Sequence, residues 1–315
     1  MKIHLTSIIS LALLAACSQA EVQTAENKGE ASVVAQAQAQ EAAPVKNINS
    51  EPLGEGFYML TGPGGNIGVS TGSEGVFVID DKFAQFGEEI IEVIKTLSDE
   101  PIRFVVNTHY HGDHTGANSK LKTTGATVVA HENVRARMGI SFENKLFGRT
   151  IEATDPEQWP DLTFSENATF HMNGHTAKLI HTPNAHTDGD SIIYFTEANI
   201  LHMGDNYFNG LFPYIDVDSG GSLQGMIDSH QTALDMIDDE TRVIPGHGPL
   251  SNKNDLKIAQ KLLIDIQSRV KSRVDKGEDL DVIIAAKPLA DFSKYSSFID
   301  EDNMVRIAYA SLAKK

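Results

Sequence analysis

From Phe57 onward the chain alternates short apolar runs with polar turns. Phe57–Leu60 and Ile67–Ser70 read as strands, with Gly62-Pro63-Gly64-Gly65 turning between them. Val76–Ile79 is a buried strand that stops at Asp80-Asp81. Glu88–Leu97 carries Ile90, Ile91, Ile94 and Leu97 at helical spacing. Ile102–Val106 and Ala126–Ala130 are further strands, and Glu132–Met138 reads as helix. Ser141–Pro160 has no clear period and is expected as a surface insertion, with Trp159 placed to reach a cleft rim. The second half repeats the style without a sequence repeat: strands at Ala168–Met172, Ala177–His181, Ser191–Phe195, Ile200–His202 and Arg242–Pro245, helices at Leu223–Ile237 and Asp255–Val270, and a helical tail. Two such α/β blocks suggest two β-sheets packed together with helices outside.

The residues before this pattern differ in kind. Met1–His4 is a short basic start, and Leu5–Ala16 is an apolar run too short to span a bilayer. It ends in Leu14-Ala15-Ala16-Cys17, which resembles a bacterial lipobox. That resemblance implies a lipoprotein signal peptide over residues 1–17 and lipid attachment at Cys17, the only cysteine of the chain. Ser18 follows, where an aspartate would favour inner-membrane retention, so the expected address is periplasmic, anchored to the outer membrane. Residues 18–50 are rich in Ala, Gln and Glu and read as a disordered tether. The folded domain is expected over 51–315. A formal charge of -17 argues against nucleic acid as a partner. Oligomeric state is not legible.

The densest chemistry is His109-Tyr110-His111-Gly112-Asp113-His114, directly after the Ile102–Val106 strand. Imidazole suits zinc, and carboxylate adds charge neutralisation. Ligands at the carboxyl end of a strand sit where α/β sheets carry their sites. Three further short motifs follow: Ala185-His186-Thr187-Asp188-Gly189-Asp190, Met203-Gly204-Asp205 and Pro245-Gly246-His247-Gly248. In this order, each after a strand-like segment, the four resemble the metal motifs of the metallo-β-lactamase superfamily over roughly Phe57–Leu250.

The resemblance implies an αββα sandwich of two mixed β-sheets with helices on the outer faces and two metals in the cleft. His109, His111 and His186 would hold the first metal. Asp113, His114 and His247 would hold the second, and Asp205 would bridge them. Asp80 ends its strand like the family's early aspartate and would orient a ligand rather than bind metal. Zinc is the default, and iron or manganese also suit such a site. His131, His171, His175, His181, His202 and His230 lie outside the motifs and are expected on the surface or hydrogen-bonded in the core.

The implied enzyme is a metal-dependent hydrolase that directs metal-activated hydroxide at the carbonyl of a small-molecule substrate, with Asp113 also catalytic as orienter and proton shuttle. β-Lactam hydrolysis is the leading expectation, favoured by the periplasmic address and the Ala185–Asp188 stretch. Asp205, where lactamases carry cysteine or serine, and Phe208, where a substrate-binding lysine is common, point to weak or promiscuous lactamase activity. The alternatives are a thioesterase resembling hydroxyacylglutathione hydrolase, a lactonase, or a periplasmic metal-binding lipoprotein without turnover. Tyr207, Phe208, Leu211, Phe212 and Tyr214 either line an apolar substrate pocket or pack as core or lid. The superfamily's diiron electron-transfer members replace the second histidine of the first motif with glutamate; here it is His111.

Overall fold

The computed structural model describes residues 47–313. Cys17 and most of the expected tether lie outside them. The first sheet has seven strands, of which six come in chain order: β1 (Asn49–Gly54), β2 (Phe57–Thr61), β3 (Ile67–Ser70), β4 (Val76–Ile79), β5 (Ile102–Val106) and β6 (Thr127–His131). A two-stranded hairpin, β7 (Phe142–Asn144) and β8 (Arg149–Ile151), then intervenes, and β9 (Leu162–Phe164) completes the sheet beside β6. The second sheet runs in order β10 (Asn167–Met172), β11 (His175–His181), β12 (Ser191–Phe195), β13 (Ile200–His202), β14 (Arg242–Ile244) and β15 (Ser251–Asn252). Both sheets are mixed. β4, β5, β6 and β9 pair in parallel, as do β13 and β14, and the other neighbours are antiparallel.

Three apolar layers follow from strand alternation. Leu53, Phe57, Met59, Phe77 and Val106 of the first sheet meet Leu179, Ile193, Phe195 and Ile244 of the second. The Phe195 ring stands edge-on to Phe57 at 4.8 Å and to Phe77 at 5.6 Å, a favoured aromatic geometry. The other face of the first sheet, through Leu60, Val69, Val78 and Val105, packs on helix α1 (Gly87–Leu97). There Ile90, Ile91, Val93 and Ile94 are buried, while Glu88 and Glu89 complement the positive end of the helix dipole. The other face of the second sheet packs Leu201, Met203 and Val243 on a long helix, Leu223–Met236, and on Leu256 of the next, Lys253–Val274. The result is the α/β/β/α sandwich. The C-terminal helices Leu280–Ala285 and Glu301–Ala313 close a fourth apolar cluster around Phe212, Met226, Ile266 and Met304.

Two expectations need correction. The folded domain begins before residue 51: Ile48 is 2% exposed in the core, and the Asn47 side chain donates to Glu89 of α1 at 3.0 Å. Asn47-Ile48-Asn49-Ser50 has one large apolar residue, so its composition continued the tether. Trp159 does not reach the cleft rim, and the surface insertion over 141–160 is in part regular. Its three-residue strands are too short to show a period, yet they form β7 and β8, and the indole of Trp159 donates to the Thr154 carbonyl at 3.1 Å. Trp159 packs with Ala130, Val134 and Met138 rather than lining the cleft.

Ile90 is fully buried between α1 and the first sheet. Ile90→Ala should cost about 2–5 kcal/mol in urea denaturation, the range for truncating a core isoleucine. A loss under about 1 kcal/mol would mean that the layer is loosely packed.

Candidate metal centre

The first sheet brings its ligand-type residues out at the carboxyl end of β5. After Val106 the chain turns at once, and the short helix Gly112–Thr115 begins with Asp113 and His114 in its single turn. The Thr115 hydroxyl clasps the turn, lying 3.2 Å from the Tyr110 carbonyl and 3.1 Å from that of His111. His186 comes from the loop between β11 and β12, which Asp190 shapes by accepting from the Thr187 amide at 2.7 Å and hydroxyl at 2.5 Å. Burial pushes the Asp190 carboxyl up to about 7. Asp205 stands in the turn after β13, and His247 follows β14. The His247 loop is sewn to the first sheet by Asn66, whose side chain donates to the carbonyls of Pro245 and Gly248, both at 2.9 Å. Gly246 has no room for a Cβ, which would lie 2.1 Å from Asp205 Oδ1.

All seven residues converge, in two groups: His109, His111, His186 and Asp205, then Asp113, His114 and His247. In the first group His111 Nδ1 is 3.1 Å from His109 Nε2 and 2.9 Å from His186 Nε2. The far nitrogen of each ring already has an oxygen to donate to. His186 Nδ1 meets the Tyr214 carbonyl at 2.8 Å, and His111 Nε2 meets Asp216 Oδ2 at 3.1 Å. His109 Nδ1 meets the Thr108 hydroxyl at 3.0 Å, whose own proton goes to Asp80 Oδ2 at 2.8 Å. These protons fix the tautomers, so three bare nitrogen lone pairs face one another. Only a cation satisfies that arrangement without further protons.

Asp205 lies between the groups. Its Oδ2 is 3.8 Å from His109 Nε2 and 3.6 Å from His186 Nε2, and its Oδ1 is 3.0 Å from His114 Nε2 and 3.4 Å from His247 Nε2. Asp205 Oδ1 is buried and accepts no well-formed hydrogen bond. An orphaned carboxylate oxygen, converging imidazole nitrogens and a second acid, Asp113 Oδ2 at 3.3 Å from His247 Nε2, fit two divalent cations.

Asp80 is fully buried with φ of 63°, a strained value for a residue with a side chain. It accepts the Thr108 amide at 2.7 Å and His114 Nδ1 at 2.7 Å, so it orients His114 and shares the network of His109. Asp216 does the same for His111 and also accepts the Tyr110 hydroxyl at 2.6 Å. Nothing in the spacing of Pro213–Ser219 marks Asp216. Of the other histidines, His202 and His230 are buried against the backbone carbonyls of Asn66 and Asn206.

A cavity of about 970 Å³ opens over the two groups. Of the pocket candidates, Tyr214 lines it, stacking on His111 with ring centres 5.7 Å apart. Tyr207 and Phe212 do not line it; both are fully buried in the core, and the Tyr207 hydroxyl lies 2.7 Å from that of Ser251. Phe208 stacks on His247 at 5.1 Å, buttressing a candidate ligand rather than lining the cavity. Aromatic residues after Asp205 look alike in sequence, and only packing separates wall from core.

The sequence of residues 60–247 matches the model of the metallo-beta-lactamase superfamily. The chain belongs to that superfamily. Among its relatives, a protein of unassigned function from Aquifex aeolicus (strain VF5) is 30% identical over 179 residues, 57% of this chain and 82% of that protein. A hydroxyacylglutathione hydrolase of Pelagibacter ubique (strain HTCC1062) is 30% identical over 120 residues, which span 37% of this chain and only 42% of that enzyme. The metallo-beta-lactamase from Pontibacter korlensis shares the fold at a TM-score of 0.59 and 21% identity, covering 69% of this chain and 99% of its own. These relationships support a metal-dependent hydrolase.

In chelator-stripped protein, protons would balance the charge of the centre. Burial disfavours a charged His247, yet Asp205 and Asp113 outweigh it and push the ring up to about 9. Burial likewise opposes His114, and Asp205, Asp113 and Asp80 raise it well above the usual range. Burial holds His186 down at about 4. A histidine raised on folding contributes stability that is full below its unfolded value of about 6.5 and lost as pH climbs. Chelator-stripped protein should therefore lose stability between about pH 6.5 and 9. Metal-loaded protein should lack that component, because a cation replaces the proton. Parallel stability–pH curves for the two forms, by thermal unfolding, would contradict this balance.

Proposed function

We propose that this protein is a two-metal hydrolase of carbonyl substrates, with an acyl thioester as its first substrate class and a β-lactam as its second. The observation that carries the reading is Asp205, one carboxylate with an oxygen toward each histidine group. His109, His111 and His186 would hold one ion, and Asp113, His114 and His247 the other; zinc suits this donor set best. Bound there, two zinc ions would supply Lewis acidity toward a carbonyl oxygen and bring the pKa of water down toward neutrality.

The chain's own residues do the rest. Asp113 is 22% exposed, against 5% for Asp205, and both line the cavity. It is placed to orient the attacking water, accept its proton and return that proton to the leaving group. Thioester hydrolysis then balances: the water oxygen bonds to the acyl carbon, the C–S bond breaks, and the thiolate leaves and is protonated. Asp80 and Asp216 keep the imidazoles in one tautomer through the cycle. The several relatives named hydroxyacylglutathione hydrolase support the thioester. Phe208, stacked on His247 where a lysine would meet a lactam carboxylate, weakens the β-lactam reading. The lipid anchor at Cys17 and the periplasmic address belong to the same proposal and rest on the N-terminal sequence alone.

The test is kcat/KM of the zinc-loaded protein on an acyl-glutathione thioester and on a chromogenic cephalosporin. The thioester should reach about 10⁴ M⁻¹s⁻¹ or more, with the cephalosporin at least about tenfold lower. His186→Ala should remove both while the fold, by circular dichroism, persists. Turnover untouched by His186→Ala would sink the two-metal reading, and a cephalosporin rate above the thioester rate would reverse the order of substrates.

A further inference from the structure

Eight large apolar side chains are well exposed among the described residues, and three of them line the same cavity: Phe83 at 38%, Phe147 at 39% and Phe298 at 54%. They come from three separate segments: the loop after β4, the β7–β8 turn and the stretch before the last helix. Each sits close to the metal-type residues or to a side chain stacked on them. A Cβ built on Gly64 would lie 3.1 Å from the Phe83 ring and 3.2 Å from Asp113 Cβ. The Phe147 ring is 5.4 Å from Tyr214, which stacks on His111. Phe298 is 6.3 Å from Phe208, which stacks on His247. Exposed aromatic surface gathered at one mouth marks a place that meets an apolar ligand.

The same wall carries two guanidinium groups. Arg137 is engaged by Asp188, with contacts of 3.1 and 2.6 Å. Arg149 is exposed and enters no ion pair among the described residues; its guanidinium lies over the Phe147 ring at 5.4 Å. Register explains its aim. Arg149 is directly opposite Asn144 in the hairpin, and the buried Asn144 amide donates to the Tyr214 hydroxyl at 2.6 Å. The strand face that meets Tyr214 is therefore the face that bears Arg149. Stacking on an aromatic ring steadies the planar fork and leaves its N–H groups for a carboxylate.

We propose that Phe83, Phe147, Phe298 and Arg149 form a specificity site for an anionic, amphiphilic acyl substrate, the phenylalanines taking a bulky apolar group and Arg149 a carboxylate. The proposal rests on the carbonyl-hydrolase reading above, and it adds the substrate's shape and charge. It also places the anion anchor on the β7–β8 hairpin, away from position 208.

Binding of non-hydrolysable thioethers to the zinc-loaded protein tests it without turnover. The probes are S-octyl-3-mercaptopropionate, its amide and the S-ethyl acid, measured by calorimetry. The octyl acid should bind at least about tenfold tighter than either of the others, as a charge-assisted contact and apolar burial require. Arg149→Ala should erase the preference for acid over amide, and Arg149→Lys should keep part of it. Phe147→Ala and Phe298→Ala should narrow the octyl-to-ethyl ratio; both side chains are exposed, so unchanged melting is expected. Equal binding of acid and amide by the unmodified protein, or ratios that survive these substitutions, would overturn the proposal. So would aromatic variants that lose only binding to phosphatidylethanolamine–phosphatidylglycerol vesicles, since the phenylalanines would then face a membrane. The hydrolase reading is scored separately, by turnover of S-octanoyl-3-mercaptopropionate with His186→Ala as control. Selective binding with no turnover would sink that reading and leave a binding site of the proposed chemistry.

Discussion

The carboxylate of Asp205 is the constraint on which the site depends. It is buried, and its two oxygens address two different sets of imidazoles. Burial alone would raise its pKa, but the His114 and His247 charges hold it well below the ordinary value. A buried anion is costly unless matched by positive charge. Protons on His114 and His247 would serve in stripped protein, and cations would serve better, because they would also take up the lone pairs of His109, His111 and His186. The same group therefore sets charge balance, spacing and the preference for metal.

The sandwich exists to hold that balance across a seam. One sheet delivers His109, His111, Asp113 and His114; the other delivers His186, Asp205 and His247. The core between them, with Phe57, Phe77 and Phe195 edge to face, fixes the distance between the two deliveries. Asn66 and the backbone bond from its amide to the Gly246 carbonyl at 2.7 Å tie the sheets at the site itself. Asp80 and Asp216 are equivalent devices, one per histidine group, each turning a ring so that its second nitrogen faces inward.

Strong periodicity made the frame legible. Val76–Ile79, Ile102–Val106 and the helix ending at Leu97 stand in the structure where their patterns place them. Short strands were legible only where they are buried: the three-residue β13 and β14 carry apolar runs, whereas β1, β7, β8 and β9 are mostly exposed or half-buried and carry none. The seven metal-type residues stood out because ligand chemistry needs particular side chains at close spacing after strands. Asp216 and Asn66 did not, since a residue that orients a ligand needs proximity in space and leaves no mark in local sequence. For Tyr207 and Phe212 the sequence leaves wall and core equally open for a related reason: an aromatic residue looks the same in either, and contacts made by distant segments decide between them.

The central claim is that Asp205 joins two cation sites into one unit, and metal stoichiometry tests it most directly. Purified protein, stripped with chelator, reloaded with zinc and dialysed, should retain two ions per chain by elemental analysis. Asp205→Asn, which keeps the volume and removes the charge, should retain one or none. Two tightly held ions in that variant, or a single ion in the unmodified protein, would contradict the account.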